Sequence, residues 1–375
     1  MPLKKISRRK ILQATSLVAA AGLISACNNG GSPDKPAEST KTIKKKREWK
    51  MVTTWPKNFP GLGTGAQRIA NNITNMSDGR LTVKLFAAGE LVPAFECFDA
   101  VRENKAQMFH ASPYYWINKN KSMPFFGGVP GGVTAQEHNA WINYAGGQSL
   151  WDEMYAQFGL KPFMGGNSGT QMGGWFLKEI NSVEDFKGLK MRIPGLAAEV
   201  LNRMGGTAVA LPGGEIMPAL QSGAIDATEW VGPWNDLAFG FHKITKFYYG
   251  PGFHEPSSAL ECSINLEAFN ELDNDLKSII KNACEAENTR MISEFTAANI
   301  DAQEKLVKEH GVIIRNFPKD VFNLMMALSK DVVSETAAEG KLNKKIYESW
   351  STFKEKARQR AAFNEHGYTN LSNNS

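Results

Sequence analysis

A carboxylate on an otherwise apolar strand is the first feature with chemical meaning. In Ile225-Asp226-Ala227-Thr228-Glu229-Trp230-Val231, alternation puts Glu229 on the face of Ile225, Ala227 and Val231. A charge there is costly unless a cation or several donors meet it. The alternative is that the strand ends by Thr228, with Gly232-Pro233 close behind, and that Glu229 points to water. Arg192, in Leu189-Lys190-Met191-Arg192-Ile193-Pro194, lies opposite the apolar face of its own strand, which by itself describes a solvent-facing arginine. Gln171 sits between Gly169 and Gly173-Gly174, which leave room for a ligand to approach. Aromatic residues crowd the same segments: Trp55, Tyr114, Tyr115, Trp116, Trp175, Trp230 and Trp234. An aromatic surplus is more often core than ligand wall, but most of these stand beside Pro or Gly at strand ends, a pattern that also fits a partly aromatic cleft.

Standard catalytic signatures are absent. The chain has no G-x-S-x-G, H-E-x-x-H, C-x-x-C or Walker loop, and no glycine cluster has dinucleotide-binding spacing after a strand. The six histidines (110, 138, 242, 254, 310, 366) show no metal spacing, and a lone histidine such as His110 after a strand is usually structural.

The elements that must hold these residues read as α/β. A β-rich run at 51–55 is followed by a helical stretch from about 63 to 76, an alternating strand at 81–86, a helix around 94–104 and an apolar run at 106–111. This order argues for a parallel sheet with right-handed crossovers. A second cycle begins near Leu160, with strands at 175–180, 190–193, 208–211 and 224–231 and short helices around 196–204 and 215–221. Residues 265 to about 310 then form a long segment almost free of Pro and Gly, with helical spacing at Leu266, Phe269, Leu272 and Leu276. Helical stretches at 319–335 and 344–361 complete two α/β lobes crossed by long helices.

Length and charge fit that architecture. A chain of 375 residues exceeds one simple core. Of the formal net charge of +5, residues 1–27 contribute +5 and residues 28–47 contribute +4, so the chain from Glu48 onward carries −4. The basic balance belongs to the N-terminal preamble, and a nucleic-acid partner loses its support. Residues 1–27 have the layout of a secretory signal, a charged stretch to Lys10 and then an apolar run too short for a transmembrane helix. Ser7-Arg8-Arg9-Lys10-Ile11-Leu12 resembles a twin-arginine signal, and Leu23-Ile24-Ser25-Ala26-Cys27 resembles a lipobox that would make Cys27 a lipid-anchored N-terminus. Residues 28–47 read as a flexible tether. Cys97, Cys262 and Cys284 form neither a disulfide framework nor a zinc cluster and read as small core residues.

Residues 181–195, NSVEDFKGLKMRIPG, and 205–229, GGTAVALPGGEIMPALQSGAIDATE, resemble the solute-binding proteins of TRAP transporters, and the likeness extends over roughly 49–361. SGTQMGGWF and EWVGPWNDLAFGF look most like the branch that binds 2-oxo acids, such as pyruvate, or lactate with a metal ion. The resemblance implies a two-lobed periplasmic-binding-protein fold with mixed sheets over 48–361, and a polar tail at 362–375. Lobe one would take about 48–160 plus later crossovers, and lobe two about 161–265 plus C-terminal parts. It implies that Arg192 grips a ligand carboxylate through two parallel hydrogen bonds. Gln171, Glu229, the Trp230 carbonyl and Glu255 would hold a hard cation, Na⁺ or Ca²⁺. Trp55 and Tyr115 would wall the pocket. The partners implied are a small organic acid, the membrane permease subunits and, through Cys27, the membrane itself. A homodimer through 344–361 stays open, because Ile346, Trp350 and Phe353 would serve either a partner or the chain's own lobe. The competing readings are a larger acid (a sugar acid or an aromatic carboxylate) and an exported metal-dependent hydrolase or lyase using Glu229 and Glu255.

Overall fold

The computed structural model describes residues 46–373. The twin-arginine stretch, Cys27 and the tether to residue 45 lie outside the described residues. The strands are β1 (Arg47–Thr53), β2 (Leu81–Phe86), β3 (Met108–Ala111), β4 (Leu160–Asn167), β5 (Gly174–Phe176), β6 (Lys190–Arg192), β7 (Thr207–Val209), β8 (Ala227–Thr228), β9 (Phe247–Tyr249), β10 (Ala259–Asn265) and β11 (Ile313–Arg315).

They form two mixed sheets, ordered β2-β1-β3-β10-β4 and β11-β9-β5-β8-β6-β7. In the first, β2, β1 and β3 are parallel, as alternating strands and helices require, and β10 runs antiparallel to both β3 and β4. Sheet membership cuts across the lobe boundaries read along the chain. Both β4 and β10 fall within the stretch assigned to the second lobe, yet they extend the sheet of β1. A two-lobed molecule built this way crosses between lobes after β4 and again before β10.

The second sheet is made of shorter strands than alternation predicts. The run at 175–180 pairs only over β5, because Ser182 and Asp185 form a capping box that turns the chain into a 3₁₀ helix at Val183–Phe186. The run at 224–231 pairs only over β8. Beyond it the chain stays extended through single backbone bonds, from Glu229 N–H to Arg192 O and from Met172 N–H to Val231 O.

The helical segment after residue 265 is two helices. Asn265 caps Leu266–Asn270 by accepting from the Ala268 N–H, and the chain restarts at Asp273 into a 35-residue helix, Asn274–Lys308. Ile280 and Cys284 of this helix pack with Ile69, Ile73 and Met51 in the first lobe, while Phe295 and Leu306 pack with Trp175 and Leu220 in the second. Cys97, Cys262 and Cys284 are free thiols in the core, as expected. The helix Lys319–Glu335 lies on Leu196–Arg203 of the second lobe. The helix Lys341–Arg360 lies on the first, where Trp350 meets Phe125 at 5.2 Å between ring centres and Trp141 Nε1–H donates to Ser349 Oγ at 3.1 Å. Residues 365–373, read as part of a polar tail, are helical. Among the described residues no helix is long and apolar enough to cross a membrane.

Candidate functional site

Parallel pairing of β6 with β8 sets Arg192 opposite Thr228 and so brings Arg192 and Glu229 together. The strand does end at Thr228, but Glu229 does not reach water: both side chains are 1% exposed. The pleat of β8 therefore does not bury the carboxylate; Arg192 and His254, from the loop between β9 and β10, stand against it, and the burial of Arg192 overturns its solvent-facing reading. Arg192 Nη1–H donates to Glu229 Oε1 and, at 3.2 Å, to the Glu229 carbonyl, while Nε–H donates to Leu211 O at 3.1 Å. Nη2 is buried and unpartnered. The guanidinium also lies 5.1 Å from the ring centre of Trp230, a cation–π distance.

The crossover segments supply the rest. Gln171 follows β4; its backbone N–H donates to Glu255 O at 3.0 Å, and its Nε2–H to Ser168 Oγ at 3.3 Å. Glu255 approaches the backbone of Gly128 so closely that a Cβ there would lie 2.6 Å from Ser257 O and 3.1 Å from Glu255 Cγ, so position 128 accepts only glycine without rearrangement. Burial pushes the Glu255 carboxyl up to about 7; His254 opposes this and Glu229 adds to it. His254 is the member that sequence reasoning missed. Its Nε2 lies 3.3 Å from Glu229 Oε2, an ion-pair distance without hydrogen-bond alignment. Burial lowers the His254 pKa, but Glu229 and Glu255 outweigh it and the net shift is upward. Glu229, His254 and Glu255 each offer a ligand atom within 4.8 Å of the others. Only the adjacency of His254 to Glu255 hinted at this, since 25 residues separate it from Glu229.

Aromatic residues close the other side. Trp55 lies 6.1 Å from Tyr115 and 6.2 Å from Trp230 between ring centres. Burial, with Arg192 opposing it, pushes the Tyr115 hydroxyl up to about 12. Trp55, Tyr114, Tyr115, Gln171 and Trp230 line a cavity of about 10 Å³, room for roughly one water. All the residues proposed from sequence for ligand or cation (Arg192, Gln171, Glu229, Trp230, Glu255, Trp55 and Tyr115) are thus gathered in one place.

Buried polar atoms without partners are rare in folded proteins, and here they cluster: Gln171 Oε1, Glu255 Oε2, Arg192 Nη2 and Trp230 Nε1. The carboxylates of Glu229 and Glu255 and the amide oxygen of Gln171, buried together, suit a hard cation. The remaining donors suit an anion beside it.

The model of the bacterial extracellular solute-binding proteins, family 7, matches residues 51–340. A monocarboxylate 2-oxoacid-binding periplasmic protein of Nostoc sp. is 36% identical over 370 residues, covering 99% of this chain and all of the relative. A TRAP periplasmic solute-binding protein from Pseudoalteromonas atlantica, solved with bound sodium and pyruvate, is 41% identical, with a TM-score of 0.84 over 87% of this chain and 99% of its own. One from Bordetella bronchiseptica, a mixed-occupancy dimer with co-purified calcium and picolinate, is 33% identical, with a TM-score of 0.85 over 88% and 97%. The chain belongs to family 7 of the bacterial extracellular solute-binding proteins, the binding proteins of TRAP transporters, and is a carrier rather than an enzyme.

Proposed function

We propose that this chain captures a small 2-oxo monocarboxylate, of which pyruvate is the simplest, together with Na⁺ or Ca²⁺, and delivers it to the permease. The observation that carries the reading is the unpartnered Nη2 of buried Arg192 beside two buried carboxylates, Glu229 and Glu255. Arg192 binds the ligand carboxylate. A two-bond grip needs a second nitrogen besides Nη2, so either Leu211 O or Glu229 must release its donor. Ligand capture therefore competes with an ion pair internal to the protein. Gln171 Oε1, Glu229, the Trp230 carbonyl and Glu255 hold the cation, and Trp55 and Tyr115 exclude water from the ligand. A cation bound there offsets the carboxylate charge left when Arg192 turns to the ligand, and offers a coordination position to the 2-oxo or 2-hydroxy oxygen.

Magnitudes are consistent with this division of labour. A charge-assisted bidentate pair contributes about 1.5–3 kcal/mol, whereas micromolar binding needs about 8 kcal/mol. Burial of the ligand against Trp55, Tyr115 and Trp230 and the cation must supply the rest.

Export by the twin-arginine route and lipidation of Cys27 complete the proposal and rest on the sequence of residues 1–27. The homodimer cannot draw on Ile346 and Trp350, which are buried in the chain's own lobe; exposed Phe363, Tyr368 and Leu371 are the apolar residues beyond them. Calorimetry with pyruvate in the presence of Na⁺ or Ca²⁺ tests the central reading. One site per chain is expected; no heat with either cation for pyruvate, lactate or picolinate overturns it.

A further inference from the structure

On a different face of the molecule, loop residues Pro130 and Gly131 and the helices Lys319–Glu335 and Lys341–Arg360 enclose a cavity of about 440 Å³. That is within the range of small-molecule sites. Its walls come from the two lobes: Met326, Lys330 and Val333 from the helix on the second, Tyr347, Trp350 and Lys354 from the helix on the first. None of these residues belongs to the Arg192–Glu229 site.

The charge lining this cavity is unbalanced. Lys330, Lys354 and Arg358 face it against one acid, Glu355, and among the described residues none of the three cations is ion-paired. Lys354 and Arg358 stand one turn apart on one helix face, where like charges repel. The Lys354 amine is half-buried, 4.8 Å from the centre of the Trp350 ring, and burial together with Arg358 pulls its pKa down to about 8. Arg358 Nη2–H reaches Gly131 O at 3.4 Å, which holds the guanidinium at the cavity mouth. Solvated lysines on a helix face usually alternate with acids or spread into water. Here cationic groups are gathered around a recess with an apolar floor of Met326, Val333, Tyr347 and Trp350. A bound anion would relieve the repulsion between Lys354 and Arg358, and the aromatic rings would bury an apolar body.

We propose that this cavity is a second ligand site, for a small organic anion with an apolar or aromatic body. The anionic group is held by Lys354 and Arg358, and the body lies over Trp350 and Tyr347. The volume suits a small molecule, whereas a partner chain would need a broader surface.

The test uses the full chain and 4-(trifluoromethyl)benzoate as probe, followed by ¹⁹F NMR. Saturable binding is expected in the parent and in Arg192→Ala, with at least tenfold weaker binding in Lys354→Glu and in Arg358→Glu. Arg358 is exposed, so its variant keeps the test open should Lys354→Glu fold poorly. Loss of the probe in Arg192→Ala with retention in the other two places it in the site already described and overturns the proposal. So does the absence of saturable binding in the parent.

Discussion

Trp55 donates its indole N–H to Nδ1 of His110 at 2.7 Å, and the other ring nitrogen of His110 faces Gly165 O at 3.1 Å. An accepting Nδ1 leaves the proton on Nε2, so the pair of bonds specifies one neutral tautomer. Burial agrees, pulling the His110 pKa down to about 4. The histidine that looked merely structural in the sequence therefore fixes the ring that walls the ligand cavity. His110→Phe removes the acceptor and leaves the indole N–H buried without a partner, at a cost of about 1–3 kcal/mol in stability. Pyruvate affinity is expected to fall several-fold to tenfold, because Trp55 loses its orientation. Thermal melts and calorimetry on the same variant check both effects; unchanged affinity would remove His110 from the binding account.

Arg192→Ala should abolish detectable pyruvate binding while circular dichroism stays native. It should also melt earlier, since Glu229 is left buried beside His254 and a second carboxylate, Glu255, and stranding a buried charge costs roughly 3–5 kcal/mol. Retained affinity would end the carboxylate assignment.

Glu229→Gln keeps the shape and removes a charge from the cation set. Metal content of the purified protein should fall, and pyruvate affinity with it by tenfold or more. Elemental analysis and calorimetry report the two separately. Equal affinity in parent protein after exhaustive chelation and desalting would take the cation out of the mechanism.

A pH effect is expected from Glu261, which lies on β10 in the first lobe and is fully buried with no cation beside it. Oε1 accepts from Trp116 Nε1–H at 2.6 Å and from Tyr155 O–H at 3.3 Å, and Oε2 pairs with Ser263 Oγ. Burial pushes its carboxyl up to about 7, against an ordinary value near 4.5. The folded state then holds a proton that the unfolded chain has lost, so stability from this group is full below pH 4.5 and declines as pH rises towards 7. In Glu261→Gln the amide oxygen keeps the two donors and the amide N–H₂ serves Ser263. The variant should gain on the parent between pH 5 and 8, by on the order of 3 kcal/mol. Chemical denaturation at both pH values measures it, and a pH-independent difference would contradict the assignment.

The sequence revealed the site better than the frame around it. Glu229 stood out because a charge among apolar strand residues needs a reason, whereas Arg192 and Gln171 took their roles only from the family resemblance. His254 offered no such signal, because it joins Glu229 only through the loop between β9 and β10. The parallel strands β1 to β3 were legible from local alternation, whereas β10 finds β3 and β4 across long stretches of chain, and such pairing leaves no local mark. Glu229 carries a related lesson: it is buried, yet β8 is too short for alternation to be the cause.

The 35-residue helix Asn274–Lys308 is about 52 Å long at 1.5 Å per residue. Its first half completes one core through Ile280 and Cys284 and its second half completes another through Phe295 and Leu306. Neither core is whole without its share of the same rod, so the lobes cannot melt as independent units. Sliding along that axis would strip both sets of contacts together, which leaves rocking across it as the inexpensive motion. The helix makes the two halves one cooperative body while leaving them free to nod.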